Sequence, residues 1–215
     1  MILYGNTLSP YVRKTMAFAA EKGMALELVQ AGMGAGPPEF KQASPFGKMP
    51  AFQDGDFLIS DSTAIITYLD AIKPEPNLIP LEPRARARTI WFEEFADTIA
   101  TATGGKVFFN RVVARMIGRE PDLAAADEAQ RTEFPKLLDY LETVIPPSGF
   151  LVEDRITLAD IAVASPFQNL HIAGCPIDPK TYPKSHAYVE AILARPSYAE
   201  IVQKERAQFA QREPA

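Results

Sequence analysis

Apolar and polar positions in the first part of the chain predict a strand, a helix and a second strand. The apolar run at residues 2–4 is typical of a short buried strand. Ser9 followed by Pro10 predicts a helix that runs to Gly23, because serine caps helices and proline suits the first helical position. Residues 26–29 predict the next strand. Such a unit implies two parallel strands joined by a right-handed crossover.

The following segment predicts a loop, a hairpin and another helix. Residues 31–40 are rich in glycine and proline and indicate a flexible loop. Residues 49–52 and 57–59 predict two short strands, and the Asp-Gly pair between them favours a tight turn. Apolar residues then recur on one face of a helix predicted over 62–72.

The rest of the chain predicts helices only. Residues 73–83 hold four of the 19 prolines, which indicates a linker. We therefore expect an α/β domain at 1–76, a linker at 77–83 and an all-α domain at 84–215. Helical patterns cover 84–117 with a bend at Gly104-Gly105, and then 122–145, 157–173, 184–194 and 197–211.

Charge and cysteine content narrow the class of protein. The formal net charge of the 215 residues is -5, which argues against a nucleic-acid or membrane-surface partner. One cysteine, Cys175, allows no internal disulfide, and the two histidines, His171 and His186, lack partners at metal-ligand spacing. No run reaches the roughly 20 apolar residues of a membrane span, and no signal peptide is evident. We expect a cytoplasmic protein without a metal.

Four segments, in this order along the chain, resemble the glutathione transferase family. They are TLSPYVRK, FGKMPAF, ISDSTAIITYL and ITLADIAVAS. The first resembles the signature of serine-type transferases, with similarity to tau- and omega-type members, although omega-type members have cysteine in place of this serine. Asp61 and Met49 depart from the glutamate and the valine or isoleucine that are more common in the family. The resemblance implies a thioredoxin-like domain followed by an all-helical domain.

The resemblance implies glutathione as co-substrate and Ser9 as the catalytic residue. A thiol reacts as its thiolate, which a serine O–H and a helix N-terminus would stabilise. Thr7 is the alternative hydroxyl and Asn6 a helper. Without the family context, Ser9 would be interpreted as a helix cap alone.

The resemblance also implies a set of glutathione-binding residues. The bond before Pro50 would be cis, so that the backbone of Met49 pairs with the cysteinyl part of glutathione. Ser62 would bind the γ-glutamyl carboxylate, Asp61 the ammonium group and Lys48 the glycyl carboxylate. Helix capping is the competing role for Asp61 and Ser62, and a solvated side chain for Lys48.

The electrophile is expected in an apolar pocket with aromatic walls. Candidates are Tyr11, Phe108, Phe109 and Phe167. Family members are usually homodimers, to which the cluster Arg84, Arg86 and Arg88 and the aromatic Phe46 would contribute. Thr157 and Asp160 have capping-box spacing and are interpreted as structural.

Three functions stay open. The first is conjugation of glutathione to a hydrophobic electrophile. The second is a glutathione-dependent peroxidase or disulfide-bond reductase, in which glutathione supplies the sulfur. The third is a non-catalytic relative that binds proteins, which would not need Ser9, the Met49-Pro50 pair or the Asp61-Ser62 pair.

Overall fold

The computed structural model describes residues 1–32 and 34–210. The chain divides into two compact units, Met1–Ile79 and Pro80–Ala215. The first contains strands and helices, whereas every regular element described in the second is helical. The predicted fold class, an α/β domain followed by an all-α domain, is confirmed.

In residues 1–32 and 34–79, the first unit is a four-stranded sheet with three helices. Its elements are β1 (Ile2–Gly5), α1 (Pro10–Glu21), β2 (Glu27–Gln30), α2 (Pro38–Ala43), β3 (Ala51–Asp54), β4 (Phe57–Ser60) and α3 (Ser62–Ile72). The strand order is β2-β1-β3-β4; β1 and β2 are parallel, and the other two pairs are antiparallel. The strand–helix–strand unit followed by a hairpin therefore agrees with the sequence pattern.

The helix α2 was not expected, because residues 31–40 were interpreted as a loop; Met33 lies outside the described residues. This helix is six residues long, so its own propensity cannot sustain it. Phe40 and Ala43 instead bury its inner face against Tyr4 and Ala51 in the core. Burial of apolar area on the sheet therefore stabilises the helix.

Lys22 stabilises the chain at the end of the first unit. Its side chain is fully buried and its ammonium lies 2.8 Å from the Asp70 carboxylate. It also donates to the main-chain oxygens of Lys73, Pro74 and Pro76, at 2.7, 3.0 and 2.9 Å. Three carbonyl acceptors match the three N–H donors of an ammonium group. One buried cation therefore ties the segment after α3 to the end of α1.

The second unit begins with a long helical run. It comprises α4 (Pro83–Glu94), α5 (Thr101–Phe108) and α6 (Ala114–Met116), joined by the π-helical stretches Phe95–Ala100 and Phe109–Val113. Gly104 and Gly105, where a bend was expected, both lie inside α5. The departures from regular α-helical geometry lie in the two π-helical stretches, and glycine content does not predict their wider turns.

Five further helices follow in the part of this unit that the structure describes. They are α7 (Leu123–Thr132), α8 (Phe134–Val144), α9 (Leu158–Ile172), α10 (Pro183–Leu193) and α11 (Pro196–Ala210). The stretch predicted as one helix over 122–145 is interrupted at Glu133, two residues before Pro135. The last helix agrees with the pattern as far as Ala210, and residue 211 lies outside the described part.

The most buried helix, α9, begins with the predicted capping box. Asp160 Oδ2 accepts hydrogen bonds from Thr157 N at 2.9 Å and from Thr157 Oγ1 at 3.2 Å. Its Oδ1 accepts from Leu151 N at 2.8 Å and from the Tyr188 hydroxyl at 3.2 Å. Burial raises the pKa of Asp160 to about 6, although these four donors favour the carboxylate. None of the helices in the two described stretches combines the length and the apolar character needed to cross a membrane.

Candidate functional site

One row of residues across the sheet determines where the predicted site segments emerge. Tyr4 of β1 pairs with Ala51 of β3, and Ala51 pairs with Ser60 of β4. The chain leaves β1 and β4 just beyond this row, and it enters β3 there. The segments that meet at this end of the sheet carry Ser9, Met49-Pro50 and Asp61-Ser62. Their convergence follows from the antiparallel register alone.

Ser9 lies at the N-cap of α1, with its hydroxyl held loosely. The turn before it is closed by the bond from Ser9 N to Asn6 O, at 2.9 Å. Val12 N donates to Ser9 Oγ at 3.5 Å, longer than a usual hydrogen bond. Capping engages a lone pair of this oxygen, so the O–H remains able to donate to another acceptor.

The neighbouring polar residues, Asn6 and Thr7, build the loop that presents Ser9. Asn6 Oδ1 accepts from Leu8 N at 2.9 Å, and Asn6 Nδ2 donates to Gln30 at 3.0 Å. Both ends of this amide are therefore engaged in shaping the loop. Thr7 is half-buried, and its carbonyl oxygen takes part in the contact described next.

Arg13 holds this loop through a hydrogen bond to its backbone, a contact that sequence reasoning missed. Its side chain is completely buried, and Nη1 donates to the carbonyl oxygen of Thr7 at 2.8 Å. Its position one turn after Ser9 in the SPYVRK segment was the available signal, because a helix residue at that spacing faces back toward the N-cap.

The Met49–Pro50 peptide bond is cis. Pro50 O accepts from Asp61 N at 3.3 Å, which joins the segment before β3 to the segment after β4. The preceding loop is closed by buried Ser44, whose hydroxyl donates to Lys48 O at 2.7 Å. Ser44 is a second residue that sequence reasoning missed. The Lys48 side chain is exposed, whereas Met49 packs partly on the core.

Asp61 lies at the N-cap of α3, as predicted, and Ser62 follows it. Asp61 Oδ1 accepts from Thr63 N at 2.9 Å and from Ala64 N at 3.1 Å. The φ of Asp61 is 87°, a value rarely adopted by residues other than glycine. Ser62, the first helical residue, is only 3% exposed. Strained backbone of this kind concentrates at functional sites.

The predicted aromatic pocket residues differ widely in burial. Tyr11 lies half-buried in the first turn of α1. Phe108 is 7% and Phe109 37% exposed, and both belong to the second unit. Phe167 is buried in α9, with its ring centroid 6.2 Å from that of Phe134. Of the three residues in the second unit, Phe109 offers the most surface to a ligand.

The single thiol of the chain lies within the helical unit. Cys175 is 2% exposed, and Arg111 Nη1 donates to its Sγ at 3.0 Å. Burial raises the pKa of this thiol, although the Arg111 guanidinium partly opposes the shift. Cys175 is therefore a protonated, inaccessible group at neutral pH and unsuited to nucleophilic chemistry.

Metal-ligating side chains are not clustered in the described residues. No group of three or more His, Cys, Asp or Glu side chains there is arranged to hold a metal ion.

Comparison with known proteins places both units in one family. Residues 3–77 match the model of the glutathione S-transferase N-terminal domain, and residues 109–205 match that of the C-terminal domain. A glutathione S-transferase of Hyoscyamus muticus is 31% identical over 214 residues, covering 94% of this chain and 98% of the relative.

Solved structures agree with this placement. A glutathione S-transferase from Rhodospirillum rubrum F11 has a TM-score of 0.83 at 25% identity, covering 92% of this chain and 89% of the other. Glutathione S-transferase-I bound with lactoylglutathione has a TM-score of 0.80 at 27% identity, covering 96% of this chain and 98% of the other. The sequence matches, which span both units, and the shared fold together establish that the chain belongs to the glutathione S-transferase family.

Proposed function

We propose that this protein is an enzyme that joins the thiolate of glutathione to a hydrophobic electrophile. The observation that carries the proposal is the convergence of three segments, with Ser9, Met49-Pro50 and Asp61-Ser62, at one end of the sheet. Each offers chemistry suited to a different part of glutathione. The three relatives described above are named glutathione S-transferases, which supports the same activity.

The sulfur of glutathione would lie at the N-terminus of α1. A free cysteine-type thiol has a pKa of about 8.5, so activation at neutral pH requires stabilisation of the anion. The O–H of Ser9 donates to the sulfur while its oxygen still caps the helix. The N–H groups and dipole of this 12-residue helix also favour negative charge. Thr7 is the alternative donor.

The middle of glutathione would pair with the segment before β3. Met49 presents its backbone N–H and C=O to the cysteinyl residue, as an added strand would. Ser44, through its hydrogen bond to Lys48 O, fixes the loop that leads to Met49. The exposed ammonium of Lys48 is available to the glycyl carboxylate.

The γ-glutamyl end would bind at the start of α3. Asp61 Oδ1 caps the helix, which leaves Oδ2 to receive the ammonium group of the ligand. The Ser62 hydroxyl and N–H, at the helix N-terminus, suit the γ-glutamyl carboxylate. The capping and binding roles of Asp61 are compatible because they use different oxygens.

The remaining parts of the proposal concern substrate, assembly and setting. Tyr11, Phe108, Phe109 and Phe167 are proposed to contact the electrophile. Residues 1–76 form the glutathione-binding domain, 77–83 the linker and 84–215 the helical domain.

A homodimer would use the exposed Arg84, Arg86 and Arg88 and the aromatic Phe46, which is 90% exposed. We also propose a cytoplasmic location. The single, buried cysteine cannot form an internal disulfide, so the protein does not need an oxidising compartment.

The direct test measures glutathione binding by calorimetry and turnover with three electrophile classes. These are an aryl halide, an organic hydroperoxide and a small disulfide. The proposal expects glutathione binding and the highest turnover with the aryl halide. Dominant turnover of the hydroperoxide or the disulfide would assign the peroxidase or reductase function. A folded protein that binds no glutathione would overturn the enzymatic proposal and favour a protein-binding role.

A further inference from the structure

Gly5, the last residue of β1, lies directly against the first turn of α1. A Cβ atom at this position would be 2.5 Å from Cγ2 of Val12, and 3.4 and 3.6 Å from Cγ1 and Cβ of the same side chain. Carbon atoms pack at about 3.5–4.0 Å, so only a residue without a side chain permits this approach. Gly5 has ordinary strand backbone and is not among the residues with positive φ. The space beside Val12, rather than the backbone conformation, therefore requires glycine here.

Neither side of this contact is free to retreat. Gly5 pairs with Gln30 of the parallel strand β2, and its carbonyl oxygen accepts from Ala31 N at 3.1 Å. Val12 is completely buried, and its branched side chain has one strongly preferred rotamer in a helix. Any atom added to Gly5 must therefore move the start of α1 relative to the sheet.

The contact is joined to Ser9 through the chain and through a hydrogen bond. Only three residues, 6–8, separate Gly5 from Ser9. The turn that they form is closed by the bond from Ser9 N to Asn6 O, and Val12 N donates to Ser9 Oγ. The distance between β1 and α1 therefore determines where the Ser9 hydroxyl lies.

From this geometry we infer that Gly5 is a positioning residue for Ser9, an inference that rests on the function proposed above. Its missing side chain lets Val12 pack against the end of β1, and this packing places the Ser9 hydroxyl and the N-terminus of α1 at the sulfur of glutathione. Restoring a normal carbon–carbon distance around an added methyl group requires a shift of roughly 1 Å. A misplacement of about this size can slow a reaction that depends on geometry by about a hundredfold.

The test measures the pKa of the bound thiol by ultraviolet difference titration, together with turnover and glutathione affinity, in the full-length protein. In Gly5→Ala the thiol pKa should rise, and turnover at neutral pH should fall at least about tenfold. Glutathione affinity should change by less than about threefold, because Met49, Asp61 and Ser62 keep their places. Gly105→Ala makes the same exchange inside α5, where a Cβ would meet no atom within 4 Å, and should leave all three values unchanged.

A second substitution tests whether the contact with Val12 is the cause. Val12→Ala removes both methyl groups, so the first turn of α1 loses its packing against Gly5, and the thiol pKa should rise in this variant too. In the double variant, Gly5→Ala with Val12→Ala, the added methyl group occupies space that the removed groups leave. Its thiol pKa and turnover should therefore be closer to those of the natural protein than in either single variant. A general loss of stability would not produce this compensation in the thiol pKa of folded protein.

The outcomes separate this inference from the proposed function. An unshifted thiol pKa in folded Gly5→Ala would overturn the inference alone, because the natural protein would still bind and activate glutathione. If Gly5→Ala does not fold, equal thiol pKa values in Val12→Ala and the double variant would overturn it instead. An equally large rise when Gly5→Ala is added to Ser9→Ala would also overturn it, because the effect would not depend on Ser9. A natural protein that binds no glutathione would overturn the proposed function and this inference together.

Discussion

At the scale of single residues, Ser9 gives the sharpest expectation. In Ser9→Ala, the pKa of bound glutathione thiol should rise, because the hydroxyl donor is lost while the helix N-terminus remains. Turnover at neutral pH should fall, while glutathione affinity changes little. Each unit of pKa change corresponds to about 1.4 kcal/mol. Ultraviolet difference titration of the thiolate measures this pKa directly.

A matched control separates chemistry from folding. Ser148→Ala removes an exposed hydroxyl from the helical unit and should leave turnover unchanged. Because the Ser9 cap is long at 3.5 Å, its loss should cost no more than about 1 kcal/mol in unfolding free energy. An unshifted thiol pKa with full activity in Ser9→Ala would transfer the role to Thr7.

Asp61 allows binding and capping to be separated. Asp61→Asn keeps one oxygen that can accept from Thr63 N and Ala64 N, but it loses the negative charge. Glutathione affinity should fall about ten- to a hundredfold, which corresponds to roughly 1.5–3 kcal/mol for a charge-assisted bond. Thermal stability should be nearly unchanged, in contrast to Asp61→Ala.

Ser62→Ala should also weaken glutathione binding, through the γ-glutamyl carboxylate. Calorimetry with folded protein checks both positions. Unaltered glutathione affinity in Asp61→Asn and Ser62→Ala would remove these residues from the proposed site.

The residues of the candidate site were predictable only where a local motif carries them. The helix cap at Ser9, the proline before β3 and the helix start at Asp61 follow from short local segments. The roles of these residues toward glutathione were implied only by the resemblance to the family, and they stay predictions. Arg13 and Ser44 were missed because their roles depend on carbonyl groups that only the folded loop presents. Side chains that support a site by hydrogen bonds to backbone carbonyls cannot be predicted from amino-acid composition or residue spacing.

At the scale of elements, periodicity identified most strands and helices but not α2 or the π-helical stretches. The helix α2 is too short to show a period, and packing of Phe40 stabilises it. Phe95–Ala100 and Phe109–Val113 continue a helical pattern with wider turns, which a 3.6-residue period does not distinguish from an α-helix. Tertiary packing therefore stabilises α2, and the π-helical stretches differ from an α-helix only in their wider turns. Neither feature can be predicted from local propensity.

The buried ammonium of Lys22 gives a prediction for the end of the first unit. Lys22→Met keeps the volume of the side chain but leaves three carbonyls and Asp70 without their cation. The unfolding free energy should fall by about 3–5 kcal/mol, as it does when one partner of a buried ion pair is removed. Urea unfolding measures it.

Lys41→Met, an exposed change on α2, serves as the control and should alter stability by less than about 0.5 kcal/mol. Equal stabilities of the two variants would show that the Lys22 contacts are not needed to hold the unit together.

The start of α9 gives a pH-dependent prediction. The pKa of Asp160 is raised to about 6 in the folded protein, so the folded state takes up this proton before the unfolded state does. Asp160 should therefore make the unfolding free energy rise as the pH falls from 7 to 4, by up to about 3 kcal/mol. Asp160→Asn should lack this contribution.

The measurement is urea unfolding of both proteins at several pH values, compared as a difference so that other groups cancel. Asp160→Asn should be more destabilised relative to the natural protein at pH 4 than at pH 7. Parallel pH profiles would contradict the raised pKa.

At the scale of the whole molecule, the expected assembly is a homodimer. Light scattering at micromolar protein should give twice the chain mass. Replacement of Arg84, Arg86 and Arg88 by alanine should weaken association, most clearly at low salt, because added ions screen such charges. Replacement of the 90% exposed Phe46 by alanine should weaken it at all salt concentrations. A monomer mass for the natural protein would contradict the dimer.

The burial of Cys175 turns the only thiol of the chain into a reporter. A thiol reagent cannot reach a sulfur that is 2% exposed and held against Arg111, so modification must wait for the helical unit to open. The rate of labelling in excess reagent therefore measures the rate at which the helical unit opens, without any engineered probe. A cysteine introduced at an exposed position would react first, so a dye can be attached at one chosen place while the natural thiol is retained.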